Sequence, residues 1–407
     1  MAKKFISFLG TGKYQLCKYK LQADMSNEVV FIQEALVSFL CKDFSKDDSI
    51  CIFVTPEAKR THWTGLQERL TKMDLGCEIQ CIDIQDSKSE ADIWNLFETL
   101  YNAIEKEDSV IFDLTHSFRY LPMLFFSILN YAQYLKNITV DGIYYGAYEA
   151  RTDDNIAPVF DMTNAYQVLQ WASAADMFSN YGIADRLYQQ IKAQDMEFSD
   201  SGKLSDSILK MTRNMNYARG QRIVEGKMFS HCAEKIGIYK YSADIVKHNP
   251  ILLPVLDSVE EKIKEFKENS TLNFLPATKW YIDHDMPAEA ISMLKEGIVT
   301  FLLERAGEDY KKVKLRLTLG NRLAFSSNKT FEYDGKSLQF KSIIEDIMDT
   351  SLAKNCKDVI EKFNSFRNDI DHSGFIEQAR SPENIIKEIR AAYDKIIEVF
   401  VIERILE

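Results

Sequence analysis

Two short stretches of this 407-residue chain concentrate side chains that can do chemistry. Residues 113–119 read Asp-Leu-Thr-His-Ser-Phe-Arg and directly follow an apolar run. Their hydroxyl, imidazole and guanidinium groups are hydrogen-bond donors, so the ligand that suits them carries phosphate or many acceptor oxygens. Residues 366–374 read Phe-Arg-Asn-Asp-Ile-Asp-His-Ser-Gly. The arginine offers a permanent charge for phosphate oxygens, and the histidine is suited to proton transfer near neutral pH.

A third stretch, Gly-Thr-Gly-Lys-Tyr at residues 10–14, follows the first apolar run of the chain. Its glycines let backbone N–H groups approach a ligand, and Lys13 adds a cation. The stretch is not a P-loop because Tyr14 follows the lysine, and it lacks the glycine spacing of a dinucleotide fingerprint. The pattern predicts an anion-binding turn, and a plain tight turn is the alternative.

The elements that position these residues alternate between strands and helices up to about residue 163. Continuously apolar strands are typical of a parallel sheet covered by helices on both faces, so this half is predicted to be Rossmann-like. Strands are predicted at 5–9, 50–55, 78–84, 110–114, 142–148 and 158–162, and helices at 28–41, 57–72, 91–104 and 122–134.

Loops that follow parallel strands meet at one edge of the sheet. The loop after the first strand, the loop after residue 113 and the Tyr-rich segment 144–147 are therefore predicted to line one pocket. Its candidate ligand-binding residues are Gly10, Thr11, Gly12, Lys13, Tyr14, Asp113, Thr115, His116, Ser117, Phe118, Arg119, Tyr145 and Gly146.

From residue 164 to the end the pattern is helical. The predicted class is α/β plus all-α, with domains at 1–163 and 164–407. Long helices are predicted at 165–193, 204–224, 252–267, 287–304, 342–366 and 382–406. One exception is the stretch 329–340, where alternating runs flank Asp334-Gly335 and predict a small β-hairpin insertion.

Composition narrows the classes of function. A net charge of -11 argues against a broad nucleic-acid footprint but leaves room for a local basic cleft. No apolar run reaches the roughly 18 residues of a membrane span, and the N-terminal apolar run is better explained as a strand than as a signal peptide. The seven cysteines form no CxxC pair. We therefore expect a cytoplasmic protein with no metal site and no membrane partner.

Residues 5–14 together with 113–119 resemble the DxTHG-type CRISPR-associated proteins. Asp113, Thr115 and His116 match that motif, whereas Ser117 stands where its glycine is usual, which bears on how closely a ligand approaches. The resemblance implies an N-terminal CARF domain, a Rossmann-like sensor of cyclic oligoadenylate. It implies no cofactor, and an activator for which cyclic tetra-adenylate is favoured over cyclic hexa-adenylate.

Arg367, Asn368 and His372 resemble the RxxxxH motif of HEPN ribonucleases, with a polar residue after the arginine. The resemblance implies a metal-independent endoribonuclease of type III CRISPR antiviral defence that cleaves single-stranded RNA. Its catalytic residues would be Arg367, His372 and Asn368. Two copies of the motif would face each other in a homodimer, or in a higher oligomer of dimers.

Several alternatives stay open at this stage. Arg367 and His372 also fit an exposed helix end that stops at Gly374. A non-enzymatic sensor or transcription regulator would need a helix-turn-helix, for which 210–222 is the candidate stretch. Asp113 and His116 could instead degrade the activator as a ring nuclease. Dinucleotide-dependent oxidoreduction lacks the glycine fingerprint. Near the second motif, Asp369 and Asp371 either orient the histidine or pair with the arginine.

Overall fold

The computed structural model describes residues 1–85, 89–116, 121–194, 201–241, 251–325, 331–377 and 379–406. The contacts divide the chain into two compact units, Met1–Leu169 and Gln170–Glu407. This division lies at 169/170, whereas the sequence pattern changes at 163/164. It falls inside the helix Thr163–Tyr181.

The N-terminal unit contains an eight-stranded sheet. Its strands lie in the spatial order β3-β2-β8-β7-β6-β1-β4-β5. They are β1 (Lys3–Leu9), β2 (Lys18–Leu21), β3 (Asp24–Met25), β4 (Ser49–Val54), β5 (Glu78–Asp83), β6 (Ser109–Asp113), β7 (Thr139–Gly146) and β8 (Ile156–Asp161). Six of these strands match predicted ones to within a few residues, and β2 and β3 were not predicted.

The sheet is mixed, so the prediction of a parallel sheet was only partly correct. Strands β5, β4, β1, β6 and β7 run parallel, but β8 is antiparallel to β7, and β3 is antiparallel to β2. A parallel return needs a crossover of a dozen or more residues. Only a short connection containing the 3₁₀ turn Tyr148–Ala150 joins β7 to β8, which therefore runs back beside it.

Helices cover both faces of this sheet. Alternate residues of one strand enter different cores: Phe5 packs with residues of the first helix, whereas Phe8 packs against Phe125. The helices are α1 (Ile32–Leu40), α2 (Pro56–Ala58), α3 (Thr64–Thr71), α4 (Glu90–Asn102) and α5 (Leu121–Lys136), with a π-helical segment, Lys59–Trp63, between α2 and α3.

The C-terminal unit is helical in the residues that the structure describes. Its core contains Trp171, Phe274 and Tyr281, which are almost fully buried. The helices are α6 (Thr163–Tyr181), α7 (Asp185–Gln194), α8 (Ser201–Asn216), α9 (Gly220–Glu225), α10 (Lys227–Tyr241), α11 (Leu252–Ile263), α12 (Phe274–Asp283), α13 (Pro287–Arg305), α14 (Val313–Ala324), α15 (Lys341–Met348), α16 (Ser351–Asp371) and α17 (Pro382–Ile402).

Three predicted long helices are broken. The helix predicted at 165–193 divides at Gly182, and the one at 204–224 divides at Ala218; both residues have positive φ. The helix predicted at 342–366 divides at residues 349–350 into α15 and α16. Helix α16 then continues to Asp371, so the R-x4-H motif begins inside this helix and not after it. Helices α10, α12 and α14 were not predicted.

The β-hairpin predicted around Asp334-Gly335 was wrong in the part that is described. Residues 331–340 contain no strand and end in the 3₁₀ turn Leu338–Phe340. The Asp334 carboxylate accepts hydrogen bonds from the backbone N–H groups of Lys336 and Ser337. An Asp side chain that accepts hydrogen bonds from the backbone N–H groups two and three residues later favours a helical turn over a hairpin. No helix of the described residues is long and apolar enough to cross a membrane.

Candidate functional site

Asp113 ends strand β6 beneath the candidate pocket. Its carboxylate is fully buried and accepts hydrogen bonds from the Ser7 hydroxyl (2.7 Å), the Thr115 hydroxyl (2.6 Å) and the Thr115 backbone N–H (2.9 Å). Ser7 is its register neighbour on β1. Burial raises the pKa of Asp113, and the hydrogen bonds from Thr115 and Ser7 oppose that effect. The Asp113 carboxylate therefore holds the loop that follows β6.

The Thr115 hydroxyl also accepts a hydrogen bond from the Gly146 backbone N–H at 2.8 Å. Because β6 and β7 are parallel neighbours, this bond joins the ends of both strands. A Cβ added at Gly146 would lie 2.5 Å from Ile32 Cδ1, so the close approach of α1 requires a glycine there. Gly146 thus allows α1 to pack closely against β7.

The loop after β1 closes on itself. The Gly10 N–H donates to the Tyr14 hydroxyl at 2.9 Å, while residues 11–13 are exposed. A Cβ added at Gly10 would lie 3.4 Å from His116 Cβ. The structure therefore brings the loop after β1 and the loop after β6 together, as the sheet-edge argument predicts for their positions.

Four rings pack together at this edge. The Tyr14 ring lies 4.7 Å from Phe31, 4.8 Å from His62 and 4.8 Å from His116 between centroids, with both histidines in edge-to-face contact. Burial, with a smaller contribution from the charge of His62, lowers the pKa of His116 to about 4. Burial also raises the pKa of Tyr14. Tyr14 and His116 are thus uncharged near neutral pH.

Sequence reasoning missed His62. It lies in the π-helical segment that follows β4, and β4 is the parallel neighbour of β1. The signal that could have found it is Thr55-Pro56, a helix-start pattern directly after an apolar strand. A helix that starts at Pro56 begins at the same edge of the sheet as the loops after β1 and β6.

The third predicted loop is arranged differently from the expectation. The Tyr145 hydroxyl is hydrogen-bonded to Glu149. The contact with the first loop is made by the residue that follows this segment, Tyr148, whose hydroxyl donates to Gln15 Oε1 at 2.7 Å. The Arg151 guanidinium lies 4.2 Å from the Tyr148 ring centre. Ser117, Phe118 and Arg119 lie outside the described residues.

In the helical unit, Arg367 and Asn368 fall within α16, and His372 directly follows its last residue. His372 is exposed, and the side chains of Arg367 and Asn368 lie outside the described ones. The turn that follows the helix ends at Gly374, which has φ of +74° and donates its N–H to the Asp369 carbonyl at 2.9 Å.

Asp369 has a partner that the sequence did not indicate. Its buried carboxylate accepts a hydrogen bond from the Arg380 backbone N–H at 2.8 Å, and the Arg380 guanidinium lies 3.7 Å away. That guanidinium also lies 4.3 Å from the Phe366 ring centre. Asp369 therefore holds the segment after His372 against the end of α16.

The stretch considered for a helix-turn-helix consists of α8, a tight turn and α9. Arg213 forms an ion pair with Asp185 at 3.0 Å, and Arg222 forms one with Glu225 at 3.1 Å. The second helix spans six residues. Two of the three arginines in the stretch are thus paired with carboxylates, and the second helix is short, which favours a structural role for this stretch.

Comparison with known proteins gives two findings. Residues 4–149 match the family model for the CARF domain of the CRISPR system endoribonuclease Csx1. The chain is also 25% identical over 231 residues to the CRISPR-associated protein MJ1674 of Methanocaldococcus jannaschii, which covers 55% of this chain and 34% of that relative. The match thus spans about a third of the relative's length. Residues 4–149, which contain the Rossmann-like sheet, are therefore similar to the CARF domain of Csx1, in a chain similar to a CRISPR-associated protein.

Proposed function

We propose that this protein is a ribonuclease of type III CRISPR defence that a cyclic oligoadenylate switches on. The observation that carries the proposal is the match of residues 4–149 to the Csx1 CARF domain, whose sheet edge here holds the Gly10 loop beside His116. The activator we favour is cyclic tetra-adenylate, bound by a dimer of sensor domains. Its preference for an active arrangement would shift the helical unit toward cleavage.

The cleavage chemistry is assigned to Arg367, Asn368 and His372. RNA supplies its own nucleophile, because the 2′-OH can attack the adjacent phosphorus while the bond to the 5′ oxygen breaks. A proton leaves the 2′-OH and one reaches the departing oxygen, which suits His372. Arg367 would balance the charge that develops on the phosphate oxygens. The products are a 2′,3′-cyclic phosphate and a 5′-hydroxyl.

Two features of the helical unit support this assignment. His372 is exposed just beyond the end of α16, where a phosphate can reach it. Asp369, the nearest described carboxylate along the helix, is already bound to Arg380 and so does not need the catalytic arginine as its partner. The loop that Asp369 anchors gives the histidine a defined position.

The test uses the full chain with cyclic tetra-adenylate or cyclic hexa-adenylate, a fluorescent single-stranded RNA, and buffer with or without EDTA. We expect cleavage only when an activator is present, unchanged by EDTA, and abolished by His372→Ala. His231→Ala is the matched control, because His231 is an exposed helical histidine near Glu234. This variant should cleave like wild type.

Absence of cleavage with either ring size would contradict the proposed function. Full cleavage by His372→Ala would contradict the catalytic assignment and leave the sensor function standing. Binding of duplex DNA in a gel-shift assay, without cleavage of RNA, would support a transcription regulator instead.

A further inference from the structure

Tyr14 contacts Gly10, Phe31, His62 and His116 at the sheet edge where the candidate pocket lies. Its hydroxyl lies 2.9 Å from the Gly10 nitrogen and 3.4 Å from the Gly10 carbonyl oxygen. Its ring is in contact with the rings of Phe31, His62 and His116. A ligand that bonded to the Gly10 N–H would therefore have to take the place of the Tyr14 hydroxyl.

His62 has two features that packing alone does not explain. Its Nε2 atom is buried and has no hydrogen-bond partner among the described residues, which costs free energy in a folded protein. It also lies in a five-residue π-helical segment, a rare geometry that is frequent at functional sites. Both features are accounted for if a ligand group bonds to Nε2 in another state of the protein.

We propose that Tyr14 fills an adenine subsite in the free protein and gives way to the ligand. One base of the cyclic oligoadenylate would take the place of the Tyr14 ring beside His62 and His116. A ligand oxygen would take the Gly10 N–H from the Tyr14 hydroxyl, and the exocyclic amine of adenine would donate to His62 Nε2. This inference rests on the proposed function and deepens it, because it names the subsite and its internal occupant.

The surroundings of Tyr14 allow this exchange. Residues 11–13 are exposed, and a Cβ added at Gly12 would meet no atom within 4 Å, so the loop has room to carry Tyr14 away. His116 is half-buried and its pKa is lowered to about 4, so its ring presents a neutral face to a neutral base. Stacking on such rings tolerates any base, and the bond to His62 would then favour a base with an exocyclic amine, as adenine has, over uracil.

Displacing Tyr14 reduces the apparent affinity for the ligand, because the competent state is only a fraction of the free protein. Removing only the hydroxyl raises that fraction, since the Gly10 N–H loses its internal partner. Tyr14→Phe is therefore expected to bind cyclic tetra-adenylate about three- to tenfold more tightly than wild type. His62→Ala is expected to bind roughly tenfold more weakly, because it loses one base contact.

Isothermal titration of the full chain with cyclic tetra-adenylate measures both effects. Tyr101→Phe and His231→Ala are the matched controls, since Tyr101 belongs to α4 on the other side of the sheet and His231 to the helical unit. Both are expected to bind like wild type. Thermal unfolding of each variant shows that it is folded before it is titrated.

Weaker or unchanged binding by Tyr14→Phe would overturn the inference, and so would unchanged binding by folded His62→Ala. AMP, which carries one base and one phosphate, is titrated in parallel to separate this inference from the proposed function. If no variant binds a cyclic oligoadenylate but Tyr14→Phe binds AMP more tightly than wild type does, the proposed function fails and the subsite stands. If Tyr14→Phe binds neither, the subsite is overturned.

Discussion

At the scale of single residues, the Thr115 hydroxyl joins groups from two strands and one loop. It donates to Asp113 and accepts from the Gly146 N–H, and Asp113 in turn accepts from Ser7. Each of these groups lies at a strand end and loses water when the sheet forms. The loss of one member leaves the others buried without a partner, so the free energy of folding depends on the set.

Thr115→Val tests this dependence. The substitution keeps the size and branching of the side chain but leaves the Gly146 N–H and one Asp113 oxygen without this partner, so we expect a loss of about 1–3 kcal/mol in the free energy of unfolding. Urea unfolding measures it. The control is Thr61→Val, whose exposed hydroxyl only donates to the Glu57 carbonyl and whose loss should cost about 0.5 kcal/mol or less. Equal costs for both variants would contradict the account.

His116 predicts a dependence of stability on pH. Its pKa falls from 6.5 in the unfolded chain to about 4 in the folded protein, because burial disfavours the charged ring. Between these values the unfolded chain binds more protons, so the free energy of unfolding falls as pH falls. The contribution is present in full above pH 6.5, is lost as pH drops through 4, and amounts to about 3 kcal/mol at most.

Urea unfolding of wild type and His116→Gln from pH 7 to pH 4 isolates this contribution, because the carboxylates titrate in both proteins. We expect the stability difference between the two to shrink as the pH falls. A constant difference over the whole range would show that His116 is not buried as a neutral ring.

At the scale of elements, the position of α1 against β7 determines which residue can end that strand. A Cβ at residue 146 would lie 2.5 Å from Ile32 Cδ1 and 3.3 Å from the Tyr19 ring. Gly146→Ala is therefore expected to destabilise the N-terminal unit by about 1–3 kcal/mol. Gly12→Ala is the control, because nothing lies within 4 Å of its added Cβ.

Combining Gly146→Ala with Ile32→Val should recover part of this loss, since valine lacks the Cδ1 methyl group at 2.5 Å but keeps a carbon at the Cγ1 position, 2.8 Å away. A double-mutant cycle measured by urea unfolding gives the coupling between the two sites. Strictly additive effects would show that α1 moves away instead, and the glycine would then need another explanation.

At the scale of the whole molecule, the proposed sensing and cutting residues belong to different units. Two variants should therefore separate the two events. His372→Ala is expected to bind cyclic tetra-adenylate with wild-type affinity and to cleave no RNA. Thr115→Val is expected to bind the activator more weakly, yet to cleave at the wild-type rate once the activator saturates it, because its catalytic residues are intact.

Titration calorimetry and a fluorescent RNA assay on the same preparations measure both properties. Loss of cleavage in folded Thr115→Val at saturating activator would contradict this separation. That result would show that the Thr115 hydroxyl contributes to the coupling between activator binding and RNA cleavage, and not to binding alone.

Local sequence patterns predicted much of the N-terminal unit. Six strands were predicted because continuous apolar runs between polar loops are a local signal, and the Gly10 loop and His116 were placed at one sheet edge by topology alone. The direction of β8 was not predictable from its own residues, since it depends on the length of the connection from β7. The Asp334-Gly335 pair led to the wrong prediction of a hairpin. Its carboxylate accepts hydrogen bonds from nearby backbone N–H groups, and the two-residue pattern gives no information about those bonds.

By itself, the sequence determined six strands of the N-terminal unit, the change to a helical pattern after them, the polar character of three strand ends and the position of the R-x4-H motif. Only the tertiary structure decided that Asp113 bonds to Ser7 and Thr115, that the Tyr14 ring packs against both His62 and His116, and that Asp369 binds Arg380. The reason is that periodicity reports which face of an element avoids water. Which side chains then meet depends on contacts between residues far apart in the chain, and those form only when the sheet and helices pack.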